Sequence, residues 1–324
     1  MPVYDVSELK FIKKGKVKNV YEVGDDLFLF EFTNKISVFD KEIPSLIPRK
    51  GETLNRCSSH WFKIAEKMGM NTHFIEMPAL NQMLVQRAGS FPMKGPHEPD
   101  YDWVNETRTN YQIPLEVIAR YYLAGSMFDR LRAGKVKPED LGFPAGTDPK
   151  SIKKGTKLPE PRVEVTTKFE GFDRPVPVDE AYRIGGMMPP EYKEMCENVL
   201  SMDECIAREV ESRGLLHVDG KKEFAFGPHR ELMLIDTFGT SDEDRFWDKK
   251  AYEESEGQPE YNMIELSKEY ARKYYRNIGY LEALEAARAA KQPEPDISAL
   301  PDAEIAEMSR ICLKLMEMIT GEEA

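Results

Sequence analysis

The chain has 324 residues, 41% hydrophobic and 31% charged, the composition of a globular protein with enough length for a sizeable core. Its formal net charge of −12 argues against a nucleic-acid partner, which calls for a basic footprint, and leaves room only for a local basic pocket facing a small anionic ligand. Four cysteines (Cys57, Cys196, Cys205, Cys312) without CxxC spacing, five histidines without an HExxH pair, no apolar run of spanning length and no signal-like N-terminus lead to the expectation of a reduced cytoplasmic protein without a structural zinc site or a membrane partner.

Residues 11–32 read as an antiparallel meander: KKGKVKNVYEV, a Gly24-Asp25-Asp26 turn, then LFLFEF. Two residues apart on one strand, Lys16 and Lys18 would share a face, and Gly15 would let backbone approach a ligand closely. That pattern suits cover for a polyphosphate, and it also suits an edge strand blunted by lysines. A strand ending at Asp40 follows, then a Pro- and Gly-punctuated loop carrying Lys50. Thr53 is the candidate N-cap of a helix with Leu54, Trp61, Phe62, Ile64, Ala65 and Met68 as its apolar residues, closed by Gly69. Strands at residues 72–76 and 83–87 complete a first lobe, and the aperiodic residues 88–111 read as an inter-lobe linker or surface excursion.

Residues 113–122 read as a buried strand leading through Gly125 into a short helix. Ser126 stands where an N-cap would, with Arg120 upstream, which suits a phosphate monoester at the helix start or an ordinary capped helix. Residues 135–161 are loop-like, and residues 163–174 gather charges, Lys168 and Asp173 among them, around Gly171. Pro189-Pro190 opens a long helix whose Met195, Val199, Met202, Ile206 and Val210 form a core-packing stripe.

The chemistry concentrates in residues 215–248. Gly227-Pro228-His229-Arg230 supplies turn residues between the runs 223–226 and 232–235. A simple four-residue connection would set Glu223 opposite Leu234 and Lys221 opposite Asp236, so that Lys221, Glu223 and Asp236 share one face unless the register slips by one. Two carboxylates and an ammonium gathered there suit Mg²⁺ with nucleotide phosphates, and they also suit a solvated, salt-bridged hairpin. Helical patterns at residues 266–291 and 303–319, separated by QPEPDISALP, point to packing and self-association into a homo-oligomer.

Five stretches in one order resemble the phosphoribosylaminoimidazole-succinocarboxamide synthase (SAICAR synthetase) family over roughly residues 11–275. They are GKVKNVYEV; NKISVFDKEIPSLIPRKGETLN, similar to "DRISAFD … IPGKGE-LN"; PLEVIARYYLAGS, similar to "P-E-V-VR-Y--GS"; KLPEPRVEVTTKFEGFDRPV, similar to "KLPEP-FTP-TKAE-GEHD"; and the hairpin with LIDTFGTSDEDRFWD, similar to "DxKxEFG … DE--TPDSSRFW". The resemblance implies a two-lobed α/β fold, ATP-grasp-like, with a small β-rich lobe at residues 1–90 covering the nucleotide. It implies a larger α/β lobe at residues 91–250 holding the substrate and Mg·ATP sites, and a helical segment at residues 251–324 packed on that second lobe. The implied activity is ATP-dependent ligation of carboxyaminoimidazole ribonucleotide (CAIR) to L-aspartate, with ADP and phosphate as by-products, in purine biosynthesis.

By the same resemblance Lys16, Lys18, Lys221, Glu223 and Asp236 would bind ATP, the last two also the metal, with Lys221, Glu223 and Asp236 catalytic. Arg120, Ser126 and Arg245 would bind the ribonucleotide's 5′-phosphate, Asp40 would lie near its imidazole, and Lys50 and Lys168 near substrate. The alternatives are a small-molecule kinase or another ATP-dependent carboxylate–amine ligase acting on a phosphorylated substrate. Asn34-Lys35 stands where the family has Asp-Arg, Phe172 where it has histidine, and Thr237 where an acidic residue is common.

Overall fold

The computed structural model describes residues 3–255 and 265–323. Strands β1 (Lys10–Lys14), β2 (Lys18–Val23) and β3 (Leu27–Phe32) make the expected meander, followed by the ribbon β4 (Lys35–Val38) and β5 (Lys41–Leu46). Helix α1 (Lys50–Lys67) leads to β6 (Asn71–Thr72), β7 (Phe74–Ala79) and β8 (Gln82–Gln86). The first sheet is antiparallel in the order β1-β2-β3-β8-β7. Its inward residues Val20, Phe30, Phe32, Met83 and Val85 meet Leu54, Cys57, Trp61, Phe62 and Ala65, which recur at helical spacing on one side of α1. The helix starts earlier than the Thr53 cap expected from sequence: Arg49, at a φ of 61°, is the N-cap, and the Thr53 hydroxyl donates to the Lys50 carbonyl at 2.8 Å.

The ribbon β9 (Met93–Gly95) and β10 (Glu98–Pro99) precedes the long strand β11 (Tyr111–Tyr122) and helix α2 (Gly125–Arg132). Then come β12 (Lys157–Thr167), α3 (Val178–Gly185), α4 (Pro189–Glu211), β13 (Leu215–Phe226), β14 (Leu232–Ile235), β15 (Asp244–Asp248) and α5 (Lys249–Glu254). The second sheet runs β12-β11-β13-β14-β6, with β15 also paired to β13. Strand β13 is its spine. One edge carries β11; the other is shared, β15 pairing residues Leu215 to Gly220 and β14 pairing Glu223 to Phe226. In the interval beside Lys221 the chain leaves the sheet, and residues 236–243 loop over that gap, held where the Lys221 N–H donates to the Glu243 carbonyl at 3.2 Å. The α4 stripe Met195, Val199, Met202, Ile206 and Val210 is buried in the same core that runs under the first sheet.

Residues 88–111, which read as a linker, have a packing role. Phe91, Tyr101, Trp103 and Tyr111 cluster with Phe169 at ring separations of 5.6 to 6.4 Å, and the Tyr101 hydroxyl donates to Glu170 at 2.9 Å. The excursion therefore braces the segment that carries Lys168.

Helices α6 (Glu269–Asn277), α7 (Tyr280–Ala289) and α8 (Asp302–Thr320) follow. This segment touches the second lobe, as where Arg213 donates to the Ile319 carbonyl at 2.6 Å, and it also covers the first. Ala271, Tyr275, Tyr280, Leu284, Met308 and Cys312 form a core with Ile36, Val38, Ile43 and Ile47 in and beside β4–β5, and α8 lies along α1, touching α4 to a lesser extent. A two-stranded ribbon cannot bury its own apolar residues, and these helices cover it. Among the described residues no helix is long and apolar enough to cross a membrane.

Gly239 ties the 236–243 loop to α1. It has a φ of 65°, its carbonyl accepts from the Trp61 indole N–H at 3.0 Å, and a Cβ there would come within 2.1 Å of the ring. Gly239→Ala should lower the unfolding free energy by roughly 2–5 kcal/mol, seen as a lower urea midpoint. An unchanged midpoint would mean that Trp61 does not anchor the loop.

Candidate active site

Alternation along β13 sends Lys221 and Glu223 to one face and Lys222 to the other. On the Lys221 side of this division, Glu116 of β11 stands directly across from Glu223. The Lys221 ammonium donates to Glu116 at 2.9 Å and to Glu223 at 2.8 Å, and lies 3.0 Å from Glu243. Lys168, just past β12, pairs with Glu223 and lies 3.4 Å from Glu116. Lys18 of β2 reaches down from the first sheet to pair with Asp236. Burial alone would raise the Asp236 carboxyl, but Lys18, Lys168 and Lys221 hold it well below the usual carboxylate range. Glu116 is pushed up to about 7 by burial, against the pull of Lys221.

The hairpin does not have the expected register. Glu223 faces Ile235, not Leu234, because Gly227 donates its N–H to the Glu231 carbonyl and the connection is one residue longer. In regular extended chain that slip would put Asp236 on the far face with Lys222. Instead β14 stops at Ile235 and Asp236 takes a φ of 67°, which turns its carboxylate back toward Lys18. The three residues meet, by a backbone reversal rather than by strand alternation.

A cleft of about 560 Å³ extends over β13 from Glu116 and Lys221 to Arg120, Ser126 and Arg245. At this second end Arg120 donates to Asp219 at 3.2 Å and lies 3.3 Å from Glu164, while Arg245 pairs with the same Asp219. The Arg245 guanidinium packs on Gly125, where a Cβ would sit 2.8 Å from Nη2, and a φ of 53° favours glycine at the start of α2. Ser126 lies in the first turn of α2 rather than capping it, since Ala124 is the N-cap. Two guanidiniums beside the free N–H groups of a helix start suit a phosphate group.

The other sequence candidates are more scattered. Lys16 falls in the turn between β1 and β2, so it does not share a strand face with Lys18; it pairs with Asp40 at 2.6 Å on the exposed rim of the cleft. Phe39 and Asp40 both have positive φ, at 51° and 65°. Lys50 is fully buried beneath the cleft, 2.8 Å from Asp242. Sequence reasoning missed Glu116, Glu243, Lys13, Lys268 and Arg272. Lys13, its pKa lowered by burial, feels the field of Asp236 and Lys18. Glu116 is set beside Glu223 only by the pairing of β11 with β13, and Glu243 is brought to Lys221 only by the path of the 236–243 loop.

Comparisons with known proteins agree with one another. A family model described as SAICAR synthetase matches residues 11–287. The chain is 46% identical over 315 residues to the phosphoribosylaminoimidazole-succinocarboxamide synthase of Thermoplasma acidophilum, covering 97% of this chain and 100% of the relative. It superposes on a Saccharomyces cerevisiae SAICAR synthase complexed with SAICAR at a TM-score of 0.71 and 21% identity, over 98% of this chain and 96% of the other. A SAICAR synthetase in complex with ADP matches at a TM-score of 0.65 and 23% identity, over 96% and 98% of the two chains.

Behind Lys18 and Asp236, His73 is buried between Phe30 and Phe62, at ring separations of 5.6 and 5.2 Å, and burial pushes its pKa down from 6.5 to about 3. Below pH 6.5 the unfolded chain takes up a proton that the folded one refuses, so stability falls as pH drops toward 3, by at most ~1.4 kcal/mol per pH unit. His73→Phe should flatten that part of the urea-midpoint profile. Parallel profiles for the two proteins would mean that His73 is readily protonated in the fold.

Proposed function

The chain belongs to the SAICAR synthetase family, and we propose that the cleft over β13 performs that family's reaction with the groups described above. The enzyme is an ATP-dependent ligase that joins the carboxylate of CAIR to the amine of L-aspartate, in purine biosynthesis. The observation that carries the reading is the pairing of two unlike ends along β13: a cleft that runs from Glu116 and Lys221 to two arginines at a helix start, with Glu223, Asp236, Lys18 and Lys168 interleaved beside its first end. The first suits nucleotide polyphosphate, the second the ribonucleotide's 5′-phosphate.

Glu223 and Asp236 offer only hard oxygen donors, and each already holds cationic side chains, so a divalent ion with phosphate oxygens fits the pair. Mg²⁺ held by Glu223 and Asp236 would add positive charge where the phosphoryl group is transferred. Lys18, Lys168 and Lys221 would exchange their carboxylate partners for phosphate oxygens and neutralise the charge that develops during transfer. Arg120, Arg245 and Ser126 would fix the ribonucleotide by its phosphate, which aims its carboxylate at the nucleotide end. Phosphorylation converts that carboxylate, a poor electrophile, into an acyl phosphate. The aspartate amine then attacks the carbonyl carbon; the C–O bond to phosphorus breaks and phosphate leaves with the electron pair.

If the carboxylate is phosphorylated, CAIR labelled with ¹⁸O in that group should deliver one ¹⁸O to inorganic phosphate per turnover. Label lost to water, with none in the inorganic phosphate, would rule the step out. Asp236→Asn or Glu223→Gln should lower turnover by more than about a hundredfold with the melting temperature little changed. Wild-type activity at limiting magnesium would make the carboxylate structural. Arg245→Ala should raise KM for the ribonucleotide far more than KM for ATP, and an equal rise in both would remove Arg245 from the phosphate site.

A further inference from the structure

Three carboxylates surround the Lys221 ammonium: Glu223 at 2.8 Å, Glu116 at 2.9 Å and Glu243 at 3.0 Å. An ammonium has three hydrogens, so each finds an acceptor. Glu116 and Glu223 come from the paired strands β11 and β13, whereas Glu243 comes from the loop over the gap beside Lys221. That loop has its own internal bonds. The Thr240 hydroxyl accepts the N–H groups of Asp242 and Glu243 at 3.3 and 3.4 Å, and the Asp244 N–H donates to the Thr240 carbonyl at 3.0 Å. The Lys221 N–H donates to the Glu243 carbonyl at 3.2 Å, so Glu243 grips Lys221 by backbone and side chain together.

The next residue repeats the grip on the other face of β13. Asp244 pairs with Gly220 in the sheet and lies 3.6 Å from the buried Lys222. Two adjacent acids thus hold two adjacent lysines from opposite faces of one strand. The family pattern has Ser-Ser where this chain has Glu243-Asp244, so neither acid comes with the family. The same pattern has an acid where this chain has Thr237, whose hydroxyl lies 3.2 Å from the Asp236 carboxylate. One acid is missing beside the site, and another has arrived further along the same loop.

We propose that Glu243 is a positioning residue for Lys221, and that it replaces in this chain the acid that the family motif carries at position 237. The proposal rests on the ligase reading above, in which Glu223 turns to the metal and Lys221 to a phosphate oxygen. Glu243 is the acceptor that stays with Lys221 through that exchange. The loop cannot follow the lysine, because Asp244 is tied to His217 at 2.8 Å and to the Gly239 N–H at 2.6 Å. The ammonium is therefore kept where charge develops on the transferring phosphoryl group.

Steady-state kinetics of the full chain with Mg·ATP, CAIR and L-aspartate test this, alongside melting temperatures. Glu243→Gln keeps the shape and removes the charge. It should lower kcat by roughly ten- to a hundredfold, with KM for CAIR and for ATP within about threefold of wild type and the melting temperature little changed. Glu243→Ser should behave alike, and Thr237→Glu added to it should recover most of the loss. An unchanged kcat in Glu243→Gln would overturn the proposal, as would a rise in KM with kcat intact or a lowered melting temperature that accounts for the lost activity. A folded double variant no faster than Glu243→Ser would overturn the exchange with position 237. Glu243→Gln decides the positioning role whether or not the double variant folds. A wild-type protein that forms no amide would instead overturn the ligase reading beneath it.

Discussion

The site depends on one electrostatic constraint: carboxylates and ammonium groups interleaved at close range on strands that cannot move apart. Glu116 and Glu223 face each other across β11 and β13, and two like charges at that separation need counter-ions. Lys221 and Lys168 supply them, as Lys18 does for Asp236. Such pairs are poor stabilisers, because desolvation offsets most of the Coulomb attraction. Their use on the proposed reading is exchange. A lysine that holds a carboxylate in the free protein can hold a phosphate oxygen when nucleotide arrives, and the carboxylate it releases can take a metal ion, so the site is pre-assembled with little rearrangement.

The same strand settles what lies behind the cleft. Lys222 points away from Lys221 into the core, where it pairs with Asp203 of α4 and lies 3.6 Å from Asp244. His217 is 2.8 Å from that Asp244, whose other oxygen accepts the Gly239 N–H at 2.6 Å. Asp203, His217 and Asp244 are close enough together to hold a cation, and the Lys222 ammonium already occupies that role. The network fixes the loop that carries Asp242 and Glu243 and the start of β15, where Arg245 stands. Gly220 permits it, since a Cβ there would lie 2.2 Å from the Asp244 Oδ2.

What was legible in the sequence was local. The meander, the α4 stripe and the helices of the C-terminal segment follow from periods of two and 3.6, and burial bears them out. Five ordered motifs carried the family and with it the general fold. The hairpin register failed for a local reason too, since one extra loop residue shifts every pair, and no composition rule predicts that Asp236 would then reverse its backbone. The remaining misses are tertiary. Glu116 lies in a family motif, but its place beside Glu223 becomes visible only once β11 lies on β13, and Lys268 and Arg272 sit at and in a helix that read as packing. The helices cover β4–β5 and bury Ile36, Val38 and Ile43 of that ribbon.

The most direct measurement is ADP release by the purified protein with Mg·ATP, CAIR and L-aspartate, leaving out each in turn, with the products separated. The account predicts stoichiometric ADP, phosphate and the succinocarboxamide only when all three are present. Sustained ADP release without L-aspartate, giving a phosphorylated product and no amide, would contradict it and make the protein a kinase.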